Sequence, residues 1–149
     1  MTPKLSRPSN VFSPMGTATS SSGSLETKVA MLVSELLNAA TSIHKLHLKV
    51  SGMGSYAAHK ALNELYDALP DHADTLAEGF QGASEKLLIY TEPAPRCLDS
   101  VQEAISYIRE IYSQVTSIQS ITPYSEIVND LDAIKSTLNS IKYKLLFLK

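Results

Sequence analysis

Apolar residues recur every three or four positions from about residue 25 to the end of the chain. This spacing is typical of amphipathic helices, and no stretch alternates with the period of two that a strand needs. The pattern predicts helices over about residues 25–51, 55–81 and 98–120, and a fourth from residue 122 onward. Four long helices in one domain indicate an all-α fold, a four-helix bundle.

Local signals mark the ends of the first two predicted helices. Ser24 is suited to cap the first helix, and Gly52 and Gly54 to stop it. Gly82 is expected to end the second helix. Pro70 lies inside that helix and should kink it, because proline removes a backbone donor.

The fourth helix has its own start signal and the most regular apolar seam. Thr122 is expected to cap it, and Pro123 to be its first residue. The prolines of residues 91–96 predict a loop before the third helix. The seam of the fourth helix, spaced four and three in alternation, is typical of bundles with small crossing angles: Ile127, Leu131, Ile134, Leu138, Ile141 and Leu145.

Residues 1–24 differ in composition from residues 25–149 and are predicted to be a separate tail. From Ser6 to Ser24 only Val11, Phe12 and Met15 are large and apolar. Such a segment buries too little surface to offset its ordering entropy. We therefore expect residues 1–24 to be disordered, or to form an arm that lies on a neighbouring subunit, and residues 25–149 to form the bundle.

Composition excludes several classes of protein. Cys97 is the only cysteine, so the chain forms no internal disulfide. No apolar run is long enough for a membrane span, and none follows the first basic residues as in a secretory leader. The formal net charge of −2 argues against a general polyanion binder. We expect a cytoplasmic protein with no membrane partner.

Residues 44–78 hold all four histidines and an acidic row on one helix face. Imidazole and carboxylate groups without a thiolate suit iron, manganese or zinc. Other interpretations stay open: a histidine on an apolar stripe, such as His47, is often a satisfied core residue, and an acidic row is often a solvated surface.

Distance along the second helix constrains any such site. His59 and Asp74 lie fifteen residues apart, which is roughly 22 Å at the helical rise. Ligands of one metal ion lie within a few ångströms of each other, so these two residues of one chain cannot share an ion. A site that uses both needs two chains, and an antiparallel twofold pairing would create two identical sites.

The same stretch resembles the Dps family, the ferritin-like DNA-binding proteins from starved cells. The resemblance rests on the run from His47 to Gly52 and on spacing. His59 follows His47 by twelve residues, the position of Asn63 follows by four, Asp74 by eleven and Glu78 by four. These spacings match that family's pattern over about 35 residues, and the helix lengths match it loosely to the end of the chain.

The resemblance implies a ferritin-like four-helix bundle in an oligomeric shell, a dodecamer built from twofold dimers. Such a shell oxidises Fe(II) with peroxide or dioxygen between subunits and stores the ferric product, a role in oxidative stress. The ligands it implies are His47, His59 and Asn63 from one chain with Asp74 and Glu78 from its partner. The metal is expected to be iron, with another divalent ion as the alternative.

Three positions depart from that family's pattern. Asn63 replaces an expected aspartate, Leu48 the usual tryptophan and Gly79 the usual arginine. The neutral amide predicts weaker metal binding, for which Glu64 or Asp67 are candidate substitutes. Whether the chain is an active ferroxidase stays open. The alternative is a ferritin-like structural or assembly protein whose N-terminal arm anchors it to neighbouring subunits.

The sequence favours weak or absent DNA binding. Phosphate contacts need several cations together, and the first 24 residues offer only Lys4 and Arg7.

Overall fold

The computed structural model describes residues 23–149. Within them the chain forms four helices and no strand: α1 (Leu25–His47), α2 (Ser55–Ser84), α3 (Val101–Gln119) and α4 (Ser125–Phe147). The predicted all-α four-helix bundle is confirmed. Of the predicted tail, only Gly23 and Ser24 belong to the described residues. No helix in this part of the chain combines the length and the apolar character needed to cross a bilayer.

Each helix buries the apolar stripe that its period predicts. All six positions of the α4 seam are buried. They meet the stripes of the other helices in one core, whose largest fully buried side chains are Tyr107 and Phe80. Full burial of each such side chain contributes about 1.5–3 kcal/mol, so the shared core is what holds the helices together.

The helices form a ring in the order α1, α2, α4, α3. Both α1 and α4 pack against α2 and α3. Residues 85–100 form a crossover that follows α1 along its length: Lys86 pairs with Glu26 near one end of α1, and Asp99 pairs with Lys49 beyond the other. Because the crossover returns the chain to the end where α2 began, α2 and α3 run in the same direction. One long crossover is among the connectivities that four-helix bundles adopt.

A polar network fixes the middle of the crossover. The Arg96 guanidinium lies 4.2 Å from the ring centre of Tyr107 and forms an ion pair with Glu110 at 2.6 Å. It also lies 3.7 Å from the buried Glu35 carboxylate. Burial, followed by the hydrogen bond with Glu35, raises the pKa of Tyr107. Asn38 of α1 donates to the Ala94 carbonyl, so the network ties the crossover to both α1 and α3.

The start of α1 is confirmed and its end is corrected. The Ser24 hydroxyl accepts a hydrogen bond from the Thr27 amide, as a cap does. The helix ends at His47, four residues before the predicted end. Gly52 and Gly54 lie in the loop to α2 with φ of 90° and 79°, values that a glycine adopts without strain.

The predicted end of α2 is wrong. The helix continues through Gly82 to Ser84, and Glu85, with φ of 55°, takes the left-handed conformation at its end. Tertiary contacts outweigh the local signal here, since Phe80 is buried and the Gln81 side chain accepts from the Leu88 amide of the crossover. Pro70 lies within the continuous helix.

The predicted starts of α3 and α4 lie two or three residues before the observed ones. Val101 is the first residue of α3, and the Ser100 hydroxyl caps it by accepting from the Glu103 amide. Pro123 precedes α4, which begins after Tyr124. Thr122 is not its cap, because its hydroxyl donates to the Ile118 carbonyl at 2.7 Å and closes the end of α3 instead.

Candidate metal centre

His47 and His59 contact each other where α1 and α2 meet through the short loop between them. The two rings stack with their centres 3.7 Å apart. Each ring also bonds the backbone of the other residue: His47 Nδ1 lies 2.9 Å from the His59 carbonyl, and His59 Nδ1 lies 3.1 Å from the His47 carbonyl. This reciprocal arrangement fixes both rings; we call it the histidine pair.

The reciprocal bonds determine the tautomer of both histidines. A carbonyl oxygen only accepts, so each Nδ1 must carry the hydrogen that it donates. In the neutral ring the lone pair then lies on Nε2, and neither Nε2 makes a hydrogen bond within residues 23–149. A backbone carbonyl that holds Nδ1–H is the usual way to orient a metal-ligating imidazole.

The same bonds explain why α1 ends at His47. In a longer helix the His47 carbonyl would accept from the amide four residues on, that of Ser51. It accepts instead from the His59 ring. The contact that forms the candidate site therefore also ends the helix that carries it.

Two residues that the sequence pattern does not single out, His44 and Tyr66, pack beside the histidine pair. The Tyr66 ring stacks on His44 at 3.9 Å and meets His47 edge-on at 5.1 Å. His44 precedes His47 by about one helical turn, and Tyr66 follows His59 by two. This spacing places each of them on the same helix face as a candidate ligand. It is the signal in the sequence from which their position beside the site could be predicted.

Asn63 lies one turn after His59, but its amide is already engaged. The Tyr66 hydroxyl donates to its oxygen at 3.2 Å, and its nitrogen donates to the Asp67 carboxylate. Glu64, a candidate substitute for the missing acid, forms an ion pair with Lys144 of α4. Asp67 and Glu64 therefore each have a partner already within the chain.

Asp74 and Glu78 are placed far from the histidine pair in the same chain. Both are exposed on α2, and neither forms an ion pair or a side-chain hydrogen bond within the described residues. Asp74 lines a surface groove beside α1. The helical rise places it roughly 22 Å from His59, so the structure brings His47, His59 and Asn63 together but not the two acids.

One chain alone does not complete a metal site. Within residues 23–149 no three His, Cys, Asp or Glu side chains are arranged to hold one ion. The two imidazoles fit as half of a site for a divalent transition metal, since zinc and non-haem iron sites combine such nitrogens with carboxylates. A complete site would need further ligands from another molecule.

The fourth histidine, His72, has a different role. Its Nε2 lies 2.9 Å from the Thr137 hydroxyl and joins α2 to α4. Burial lowers the pKa of His72, and the charges of Asp71 and Asp130 oppose that shift only in part. His72 is thus a packing contact between helices and lies apart from the histidine pair.

These features define a class of protein: an all-α bundle with one long crossover and a fixed histidine pair between its first two helices. The chain belongs to the Family of unknown function (DUF5856), whose family model matches residues 47–145. The match contains all five predicted metal ligands and leaves most of α1 outside. Neither the curated proteins nor the solved structures contain a match.

Proposed function

We propose that two copies of this chain pair along α2 and bind Fe(II), their substrate, between the histidine pair of one copy and Asp74 and Glu78 of the other. The observation that carries this proposal is the histidine pair. Its two Nε2 atoms have lone pairs and no partner within residues 23–149, while the carboxylates have no partner in the same range. The histidine pair supplies nitrogen ligands without carboxylates, and Asp74 and Glu78 supply carboxylates without nitrogen ligands.

The register along α2 supports an antiparallel pairing. Successive residues of a helix turn by 100°, so Asn63 and Asp74 lie about 40° and 60° around the axis from His59. Side chains on one face reach the same partner surface. A twofold axis near residues 67–70 would bring the first half of this face in one copy opposite the second half in the other, and would generate two equal sites.

The chemistry follows from the groups that this pairing joins. The imidazoles would bind the ferrous ion through Nε2, and the carboxylates would balance its charge and favour the ferric product. Two ferrous ions each give up one electron, and one molecule of hydrogen peroxide takes up these two electrons and two protons and leaves as two water molecules. Repeated in an oligomeric shell such as a dodecamer, this reaction would supply ferric iron for storage.

A second function is favoured by Asn63. Its amide replaces a charged ligand and is bonded to Tyr66 and Asp67, so the site binds a cation with one acid fewer. A structural protein that keeps the bundle and its self-association, without iron turnover, fits that observation. Measurement of Fe(II) oxidation separates the two functions, because only the first requires a rate above that of the buffer.

Subunit complementation tests the two-chain site directly. His59→Ala and Asp74→Ala should each abolish Fe(II) oxidation, followed by ferric absorbance. Mixed and allowed to exchange subunits, the two inactive variants would form hybrid dimers with one intact and one doubly damaged site. Random exchange should therefore restore roughly a quarter of the wild-type sites.

The matched control is a mixture of His59→Ala with His47→Ala. Both changes fall in the same half of the site, so no hybrid regains a complete one. His72→Ala, a histidine outside the pair, should keep oxidation near the wild-type rate. Activity in either single variant, or a mixture of His59→Ala and Asp74→Ala that stays inactive although exchange is verified, would contradict the two-chain site. If the wild-type protein oxidises Fe(II) no faster than buffer does, the ferroxidase function is excluded and the structural function is favoured.

A further inference from the structure

A groove of about 560 Å³ follows the outer side of α1, between α2 and the crossover. Leu37 of α1 and Tyr90 of the crossover line it, and each is 45% exposed. Pro93, Pro95 and Ala77 add apolar surface to the lining. Exposing apolar surface to water costs free energy, so covering this lining would be favourable. We call this feature the α1 groove.

A second cleft lies at the start of α1. It measures about 390 Å³ and is lined by Ser24, Glu26 and Thr27 together with residues 86–89 of the crossover. Leu87 and Ile89 are each 86% exposed there. Ile89 lines this cleft and Tyr90, the next residue, lines the α1 groove, so the two clefts are neighbours along the crossover.

Residues 1–22 join the described chain at this cleft. Val11, Phe12 and Met15 are among the few large apolar residues of that segment. Leu37 lies thirteen residues beyond Ser24, about 20 Å along the helix. Phe12 precedes Ser24 by twelve residues, which span up to about 40 Å when extended. Both Phe12 and Met15 are therefore within reach of the groove of their own chain.

Charge also favours this segment as the occupant. Residues 1–22 carry Lys4 and Arg7 and no acidic residue. The α1 groove carries Asp74 and Glu92 against a single base, Lys45. An acidic groove attracts a basic segment, most strongly at low ionic strength.

We propose that residues 8–15 dock into the α1 groove of the same chain, with Phe12 and Met15 against Leu37 and Tyr90. Docking covers the apolar wall of the groove, and Lys4 and Arg7, which precede the docked residues, are then attracted by its acids. The argument for this docking does not use the proposed iron chemistry, although the two share one residue. Because Asp74 belongs to both, it is left unchanged in the test.

The absence of tryptophan from the sequence makes the segment easy to label. In the full chain, Phe12→Trp introduces a single tryptophan at the docking position. Its emission should be shifted to the blue, and acrylamide should quench it severalfold less than free tryptophan. Adding Leu37→Asp should remove both effects. Ile121→Asp is the matched control, since Ile121 is 47% exposed, lies in the loop between α3 and α4, and lines neither the α1 groove nor the second cleft.

Each other outcome contradicts the proposal. Emission typical of a solvated indole would show that Phe12 does not dock. Protected emission that Leu37→Asp leaves unchanged would place the segment elsewhere on the protein. Protection that is lost on dilution would show that the occupant is the segment of another subunit. An unchanged helical circular dichroism spectrum in Leu37→Asp verifies that the bundle itself is intact.

Discussion

The two halves of α2 differ in how their polar side chains are held. In the first half, His59 bonds the His47 backbone, Asn63 bonds Tyr66 and Asp67, and Glu64 pairs with Lys144. In the second half the acidic side chains, those of Asp71, Asp74 and Glu78, make no hydrogen bond or ion pair within residues 23–149. Contacts within the chain therefore hold the polar side chains of the first half in place, but they do not hold the acidic side chains of the second half.

The histidine rings of the first half are held in place before any ligand binds, whereas the carboxylates of the second half are free to bind one. The rings of the histidine pair have already lost their rotational freedom during folding, so binding a ligand costs them little further entropy. The exposed carboxylates keep that freedom and their hydration. A site assembled from both halves would combine a rigid nitrogen side with an adaptable oxygen side, and the predictions below test each side separately.

The largest effect is expected from breaking the histidine pair. His47→Ala removes a stacked ring and the side-chain hydrogen bond that the ring donates to the His59 carbonyl, which should lower the free energy of unfolding by about 2 kcal/mol. Glu78→Ala, in the second half, should change it by less than about 0.5 kcal/mol. Urea titration followed by circular dichroism measures both. Equal effects would mean that the two halves do not differ as described.

A smaller effect is expected from His72, the exception in the second half. Burial lowers its folded pKa below the ordinary value of 6.5, so the unfolded chain binds the proton more tightly. The free energy of unfolding should be unaffected by this group above pH 6.5 and should fall as the pH drops through the folded pKa, by less than about 1.4 kcal/mol per pH unit.

The measurement is urea titration across this pH range with His72→Gln beside the wild type. His72→Gln should flatten the profile. Thr137→Val removes the hydrogen-bond partner and leaves the ring buried, so it should lower stability but keep the slope. A slope that persists in His72→Gln would assign the pH dependence to other groups.

The smallest stability effect is expected from Asn63→Asp. The substitution removes the exposed hydrogen bond that the Asn63 amide donates to Asp67 and places two carboxylates one turn apart. Like charges at this spacing cost about 0.2–0.5 kcal/mol. It also supplies the acid that the site lacks, so affinity for Fe(II) or Mn(II), measured by calorimetry, should rise. Lower stability without tighter metal binding would count against Asn63 as a ligand position.

The sequence predicts the helices well because their signal is local. A stripe with a period of 3.6 residues is complete within each helix, and the α4 seam is buried at every predicted position. Helix ends are less predictable, because tertiary contacts compete with local ones. The His47 carbonyl accepts from a ring on α2, and Thr122 closes α3 rather than opening α4.

The candidate site is predictable only in part for the same reason. Spacing places His59 and Asn63 on one face, but the exchange of bonds between the histidines depends on the loop that closes through Gly52 and Gly54. The course of the crossover follows from Arg96 and Tyr107, side chains with no periodic pattern. Such contacts join segments that are distant in sequence, and the hydrophobic period of a single helix carries no information about them.

The long crossover has a consequence for how the molecule comes together. A short turn joins α1 to α2 and another joins α3 to α4, so each pair closes with little loss of chain entropy. Residues 85–100 must be laid along α1 before the two hairpins can meet, which makes their docking the step with the greatest sequence separation. We therefore expect folding to begin within the hairpins, and a nick in the crossover to yield two fragments that can reassemble around the shared core.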